Sequence, residues 1–165
     1  FTTYTQGGWG SKPSGNNPGK LLSTNFAAVF PTGVRLGTPN GVTFTSAKQI
    51  EDFLPQGGTP GVWTTNQTLP INNSTAGVFA GQVLAMELSV SFSLAGITKS
   101  GLGSMHVANG PYAGYTVLKL LYLAEEVLGS SPGVTMPTTV AVLSGEITKF
   151  NENFDNGTVN KGFLY

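Results

Sequence analysis

The longest apolar stretch of the chain, residues 76–95, limits the fold more than any other feature of the sequence. It carries one charged residue, Glu87, and it is interrupted by Gly77, Gly81 and Gln82. A charge at the centre of a lone membrane span costs about 2.5 kcal/mol or more. We therefore predict a buried helix in a water-soluble domain, with no membrane span.

The remaining pattern predicts four more helices and several short strands. Asn17 and Pro18 are typical of a helix start, and Leu22, Phe26 and Phe30 follow at four-residue spacing. The predicted helices cover residues 18–30, 46–54, 75–94, 117–128 and 138–154. The predicted strands cover residues 1–4, 34–36, 42–45, 102–107 and 162–165.

These elements follow one another in no regular alternation. About five helices and four or five short strands in such an order predict an α+β fold rather than a doubly wound sheet. Ser46 and Gln49 fit a capping box at the start of the second helix. Residues 56–75, rich in Gly, Pro, Asn and Thr, are predicted to form a long loop. No domain boundary is visible, so we predict a single extracellular domain over residues 1–165.

Charge is scarce, and this limits the class of partner. Only 10% of the residues are charged, and 8 basic residues balance 8 acidic ones, whereas ordinary soluble domains have about 25%. A neutral chain has no electrostatic footprint for nucleic acid and no polybasic segment for anionic lipid. Zero net charge instead promotes association between molecules.

Three features together favour export: the low charge, the Thr/Asn/Gly-rich composition and a start at Phe1 without an initiator methionine. We expect that a leader or an upstream region has been removed or is absent. The absence of cysteine excludes disulfides and thiolate chemistry.

Catalytic chemistry finds little support in the residue types present. His106 is the only histidine, and a lone histidine on a strand edge is more often structural than catalytic. No serine lies in a Gly-x-Ser-x-Gly elbow, and zinc usually takes three or four His, Cys or carboxylate ligands. We therefore predict no enzyme, no catalytic residue, no cofactor and no metal site.

The carboxylates leave one alternative open, a hydrolase that uses Glu87. A buried acid must be paired or protonated. The simpler interpretation is that Glu87 reaches the helix edge or pairs with Arg35, the only arginine. The adjacent pairs Glu51-Asp52 and Glu125-Glu126 are expected to face water.

Two tryptophans, Trp9 and Trp63, are candidate binding residues because both lie in glycine-rich, loop-like sequence. Tryptophan on a loop can stack on a sugar ring, which would let a neutral module bind carbohydrate. The alternative is that each fills a gap at the rim of the core. Four asparagines lie in Asn-x-Ser/Thr sequons and are candidate glycosylation sites: Asn66, Asn72, Asn73 and Asn156.

The opening segment, Tyr4-Thr-Gln-Gly-Gly-Trp-Gly10, carries a distinctive signature. With residues 53–60, 76–84 and 147–155, it resembles a family of secreted bacterial domains that begin with Tyr-Thr-Gln-Gly-x-Trp and often belong to large surface proteins. The resemblance spans nearly the whole chain and implies export and a location at the cell surface. No activity is assigned to that family, so it implies no catalytic residues.

The sequence therefore predicts a structural subunit of an extracellular filament or surface layer, whose partners are copies of itself. In this hypothesis a terminal strand adds to a sheet edge of the next subunit. The alternative is an adhesin-like module that binds surface glycans or another protein. The predicted assembly residues are Phe1, Thr2, Thr3, Tyr4, Phe163, Leu164 and Tyr165.

Overall fold

The computed structural model describes all residues, 1–165, and it has an α+β architecture. The elements in chain order are α1 (Gln6–Trp9), α2 (Pro18–Val29), β1 (Val34–Leu36), β2 (Val42–Phe44), α3 (Ala47–Phe53), α4 (Gly77–Leu94), a 3₁₀ turn (Leu102–Ser104), α5 (Val117–Leu128) and α6 (Val140–Asn153). β1 and β2 form an antiparallel hairpin in which Arg35 lies opposite Thr43.

The helix α4 is the centre of the molecule, as the apolar stretch predicts. It packs against α6, α5, α1, β1 and the 3₁₀ turn. It is the one helix long and apolar enough to cross a membrane, but most of its residues are buried inside the domain. Because other elements cover it on nearly every side, its sequence shows little amphipathic character.

One contiguous core of 37 buried residues surrounds α4. Aromatic rings join its parts, since the Trp9 ring meets the rings of Tyr4 and Phe92 with 5.0 Å between centroids in each case. On the far side, Phe44 of the hairpin meets Phe53 of α3 at 5.2 Å. The hairpin and the small helices thus share the core of the long helices.

Two of the predicted helix starts, at Asn17 and Ser46, are confirmed by side-chain caps. The Asn17 side chain accepts a hydrogen bond from the Lys20 N–H at 2.8 Å. Ser46 caps α3 through the Gln49 N–H at 3.2 Å. In a capping box the Gln49 side chain would accept from the N–H of Ser46. Here it accepts instead from the N–H of Thr45, one residue earlier, at 2.7 Å.

Three predicted strands, residues 1–4, 102–107 and 162–165, are not regular strands. They form isolated bridges instead, which pair Thr3 with Asp155, His106 with Thr116, and Val107 with Leu164. The first residues of the segment 102–107 form the 3₁₀ turn, and α1 begins where the sequence predicts only a loop. The predicted loop of residues 56–75 is confirmed as free of helix and strand.

Candidate functional site: an acid cleft beside the central helix

Two adjoining cavities form a groove where α4, α5 and β1 meet, and we call this groove the acid cleft. Its polar end, of about 330 Å³, is lined by Arg35, Thr38, Glu87, Tyr122, Glu125 and Glu126. Its apolar end, of about 430 Å³, shares Arg35 and Glu87 and adds Val29, Phe30, Val34 and Leu94 among others. The two ends are named for their lining residues, of which five of nine are apolar at the apolar end and one of six at the polar end, while both ends expose polar and apolar atoms.

Glu87 lies where the two ends of the acid cleft meet. Burial raises the pKa of its carboxyl from 4.5 to about 7. No ion pair reaches the carboxylate, since the salt bridges of the chain belong to Lys48 and Lys149. The expected pairing of Glu87 with Arg35 is therefore not present.

Glu125 is the second acid, and the prediction that it faces water is wrong. Its Oε2 accepts a hydrogen bond from the Gly37 N–H, while its Oε1 is buried and has no partner. Burial and the nearby charge of Glu87 raise the pKa of Glu125 well above its usual value, against the opposing effects of Gly37 and Arg35. Glu126, its neighbour in sequence, is exposed as predicted.

Arg35 lines both cavities but is engaged elsewhere. Its guanidinium donates to the Pro39 carbonyl at 2.9 Å and to Asn66 Oδ1 at 2.8 Å, with a longer contact to Thr43 Oγ1 at 3.4 Å. The same Asn66 oxygen accepts from the Gly41 N–H at 3.1 Å. The only arginine thus ties the hairpin to the long loop and leaves the two acids without an ion-pair partner.

The chemistry of the acid cleft is that of two carboxyl groups that resist ionisation together. Like charges close to each other keep one proton bound over a range of pH in which an isolated carboxyl would lose it. Such a pair can exchange a proton with a ligand near neutral pH. No group of three or more His, Cys, Asp or Glu side chains is arranged to hold a metal ion.

The two tryptophans that the sequence offers as binding residues are both fully buried. The Trp9 indole N–H donates to Ser89 Oγ at 3.1 Å, and the Trp63 indole N–H donates to Ser74 Oγ at 3.1 Å. Neither ring presents a face to solvent, so neither can stack on a sugar. The alternative that they fill the core is the one the structure supports.

The opening signature has a structural role. Thr5 caps α1 through the Gly8 N–H. The buried Gln6 side chain accepts from the Gln56 N–H at 2.9 Å and lies directly against Gly81 of α4. Together with Trp9, these residues fasten the start of the chain to the central helix.

The predicted assembly residues are largely engaged within the chain. Thr3 N–H donates to the Phe154 carbonyl at 3.1 Å, and Thr3 is buried. Phe163 and Leu164 are buried as well, and the N–H and carbonyl of Tyr165 both bond to His106 at 2.9 Å. Assembly through these ends stays a prediction, and the backbone groups of Thr3, Phe163 and Tyr165 already have partners within the chain.

Some predicted surface residues remain exposed. Tyr165 keeps 66% of its surface exposed, and its ring stacks on His106. All four sequon asparagines are exposed: Asn66, Asn72, Asn73 and Asn156. Glycosylation at these positions stays a prediction.

Comparisons of the chain with protein-family models, with curated proteins and with solved structures find no match. The resemblance to secreted bacterial surface domains therefore stays a prediction from the motifs.

Glu125 is the site residue that the sequence interpretation missed, and a signal for it exists. On α5 it follows Leu121 by four residues and precedes Leu128 by three, and both leucines are buried. At that spacing its side chain shares the edge of the buried face. Glu125 and Glu126 differ in burial although they are adjacent, because adjacent helical residues point in different directions.

Proposed function

We propose that this chain is a structural subunit of an extracellular surface assembly, a filament or a layer, formed from copies of itself. The observation that supports this most is the near absence of charge: 16 charged residues lie on a domain of 165 residues, and they cancel. Without mutual repulsion, such molecules associate readily.

We infer that copies of the chain meet through uncharged surfaces and not by exchanging terminal strands. The chain ends are held by their own domain, so a neighbour would first have to displace them. Several large apolar side chains remain on the surface instead: Leu94, Tyr122, Val142, Val159 and Tyr165. Single residues of this kind are ordinary on a protein surface, so the support for the proposal comes from the scarcity of charge.

Sedimentation and electron microscopy of the purified chain over a range of concentrations test this proposal. We expect regular polymers whose formation changes little between low and high salt, because screening has little charge to act on. Dispersed monomers at every concentration would contradict it.

A matched pair of triple variants tests the role of neutrality. Val142, Val159 and Tyr165, which lie outside the acid cleft, are replaced by lysine in one variant and by threonine in the other. Both variants lose the same apolar side chains, but only the lysine variant acquires repulsive charge. We expect the lysine variant to assemble less than the threonine variant at low salt and to recover in high salt.

The adhesin-like alternative has lost its first candidate residues, since Trp9 and Trp63 are buried. A binding module would have to use another surface, and the acid cleft is the surface that the geometry offers.

A further inference from the structure

The acid cleft holds two carboxyl groups that form no ion pair within the chain. Glu87 has no ion-pair or hydrogen-bond partner, and Oε1 of Glu125 is buried without one. Arg35, the nearest cation, is held by Pro39 and Asn66. A buried polar group without a partner raises the free energy of the folded state. A ligand that supplies the missing partner removes this penalty, and its binding is strengthened accordingly.

The shape of the cleft indicates what kind of cation fits. Next to the two acids, the groove continues over apolar side chains of α2, β1 and α4, among them Val29, Phe30 and Leu94. Leu94 is 67% exposed, so this apolar end is open to a ligand. A small inorganic ion would leave it uncovered, whereas an organic cation with a hydrocarbon chain would cover it.

Tyr122 adds an aromatic face at the polar end. It is 59% exposed and lines the same cavity as Glu87 and Glu125. An ammonium group within about 6 Å of an aromatic ring is attracted to its face. Acids and an accessible ring around one cavity are the surroundings that a bound ammonium group prefers.

We propose that the acid cleft binds an alkylammonium ligand, with the ammonium group between Glu87 and Glu125 and the hydrocarbon chain along the apolar end. This inference goes beyond the proposed assembly and does not depend on it. A divalent metal is a poorer fit, because calcium takes six to eight oxygen ligands and no group of three or more His, Cys, Asp or Glu side chains is arranged to hold a metal ion.

Binding is coupled to proton release, because the ammonium group replaces the proton that the two acids retain. The charged and titratable groups around Glu87 are Arg35 from β1 and Tyr122, Glu125 and Glu126 from α5. Since the pKa of Glu87 is about 7, we expect the apparent Kd to rise about tenfold between pH 8 and pH 6. An alkylammonium ion stays charged throughout that range, as lysine does.

Carboxyl carbon NMR of the full chain, at a concentration where it is monomeric, measures this directly. The probe is n-hexylamine, added at pH 6, 7 and 8, with 1-hexanol and methylamine as matched ligands that lack the charge or the chain. We expect hexylamine to shift the Glu87 and Glu125 signals and to lower their apparent pKa. Both matched ligands should bind at least tenfold more weakly.

Glu87→Gln and Glu152→Gln separate the acid cleft from the general surface. Glu152 is an exposed acid on α6 and lines none of the described cavities. We expect Glu87→Gln to weaken hexylamine binding at least tenfold at pH 8 and Glu152→Gln to leave it unchanged.

Three outcomes would overturn the proposal. The first is that hexylamine moves neither carboxyl signal at pH 8. The second is that methylamine, which lacks the chain, binds as well as hexylamine. The third is that 1-hexanol binds as well as hexylamine. None of these outcomes depends on whether the chain polymerises, so the assembly proposal stands or falls separately.

Discussion

At the scale of single residues, the acid in the middle of an apolar helix has a direct thermodynamic consequence. Glu87 takes up a proton more readily in the folded state than in the unfolded one, because burial raises its pKa from 4.5 to about 7. The folded state therefore binds more protons between these values, and the free energy of unfolding falls as the pH rises through them. Above pH 7 the buried Glu87 is ionised, and the full loss in the free energy of unfolding is present.

We predict that Glu87→Gln stabilises the domain at pH 8 by about 2–3 kcal/mol and leaves it unchanged at pH 4. Glutamine keeps the shape of the side chain and removes the charge. Urea unfolding at both pH values measures the difference, with Glu152→Gln as the control for loss of an exposed acid. An equal effect of Glu87→Gln at pH 4 and pH 8 would show that burial of the charge is not the cause.

A second residue-scale prediction concerns Gly81. A Cβ added there would lie only 1.6 Å from Oε1 of the buried Gln6. We expect Gly81→Ala to destabilise the domain by about 1–3 kcal/mol, because Gln6 would have to move and lose its bond to Gln56.

Gly145 of α6 provides the matched control for Gly81→Ala, since a Cβ there would meet no atom within 4 Å. Gly145→Ala should stabilise the protein by about 0.5–1 kcal/mol through helix propensity. Thermal unfolding of the two variants side by side checks both signs, and two changes of the same sign would refute the packing argument.

At the scale of elements, the long helices could be predicted and the terminal segments could not. α2 and α5 follow from local signals, namely a cap, an apolar spacing and a stop, and α4 follows from the length of its apolar stretch. The bridges at Thr3 and Leu164 join residues far apart in sequence, and no local pattern encodes such a pairing. α1 is too short to show a period, so its four residues look like the loop that follows them.

The acid cleft was only half predictable for the same reason. Glu87 is conspicuous because it interrupts an apolar stretch. Glu125 gains its role only when α5 packs beside α4 and Gly37 of the hairpin loop donates to it. The convergence of three elements on one groove is a tertiary property, and residue spacing within any one of them does not contain it.

The C-terminal segment gives a prediction at the element scale. Deleting residues 163–165 removes two buried side chains, Phe163 and Leu164, and the backbone bonds to His106 and Ala108. We expect a loss of about 3–6 kcal/mol in the free energy of unfolding, since burial of each large apolar side chain contributes about 1.5–3 kcal/mol.

Tyr165→Ala keeps the backbone and removes only an exposed ring, so it should cost less than about 1 kcal/mol. Denaturant unfolding of the deletion and of Tyr165→Ala compares the two. A deletion variant that keeps full stability but no longer polymerises would favour the hypothesis of assembly through the terminal strands.

At the scale of the whole molecule, the first residues of the chain pack against the segment around Phe154. Phe154 N–H donates to the Thr3 hydroxyl at 3.0 Å across a separation of 151 residues, and the Phe1 ring packs on the Phe154 ring. α4, from the middle of the chain, packs mainly against α6, which comes late. The core is thus assembled from pieces that are far apart in sequence.

We predict that a fragment of residues 1–136, which lacks α6 and all that follows, does not fold. It would leave the α6-facing side of α4 bare and Thr3 without its partner. Circular dichroism with urea titration should show no cooperative transition, in contrast to the full chain. A cooperative transition in the fragment would contradict this prediction, because it would mean that the core folds without α6.

The pairing of Thr3 with Phe154 also determines when the domain can complete its fold during synthesis. The segment that carries Phe154 must be synthesised before Thr3 can meet its partner, and contacts of such high sequence separation form slowly. The N-terminal residues therefore wait without their final contacts until most of this domain has left the ribosome.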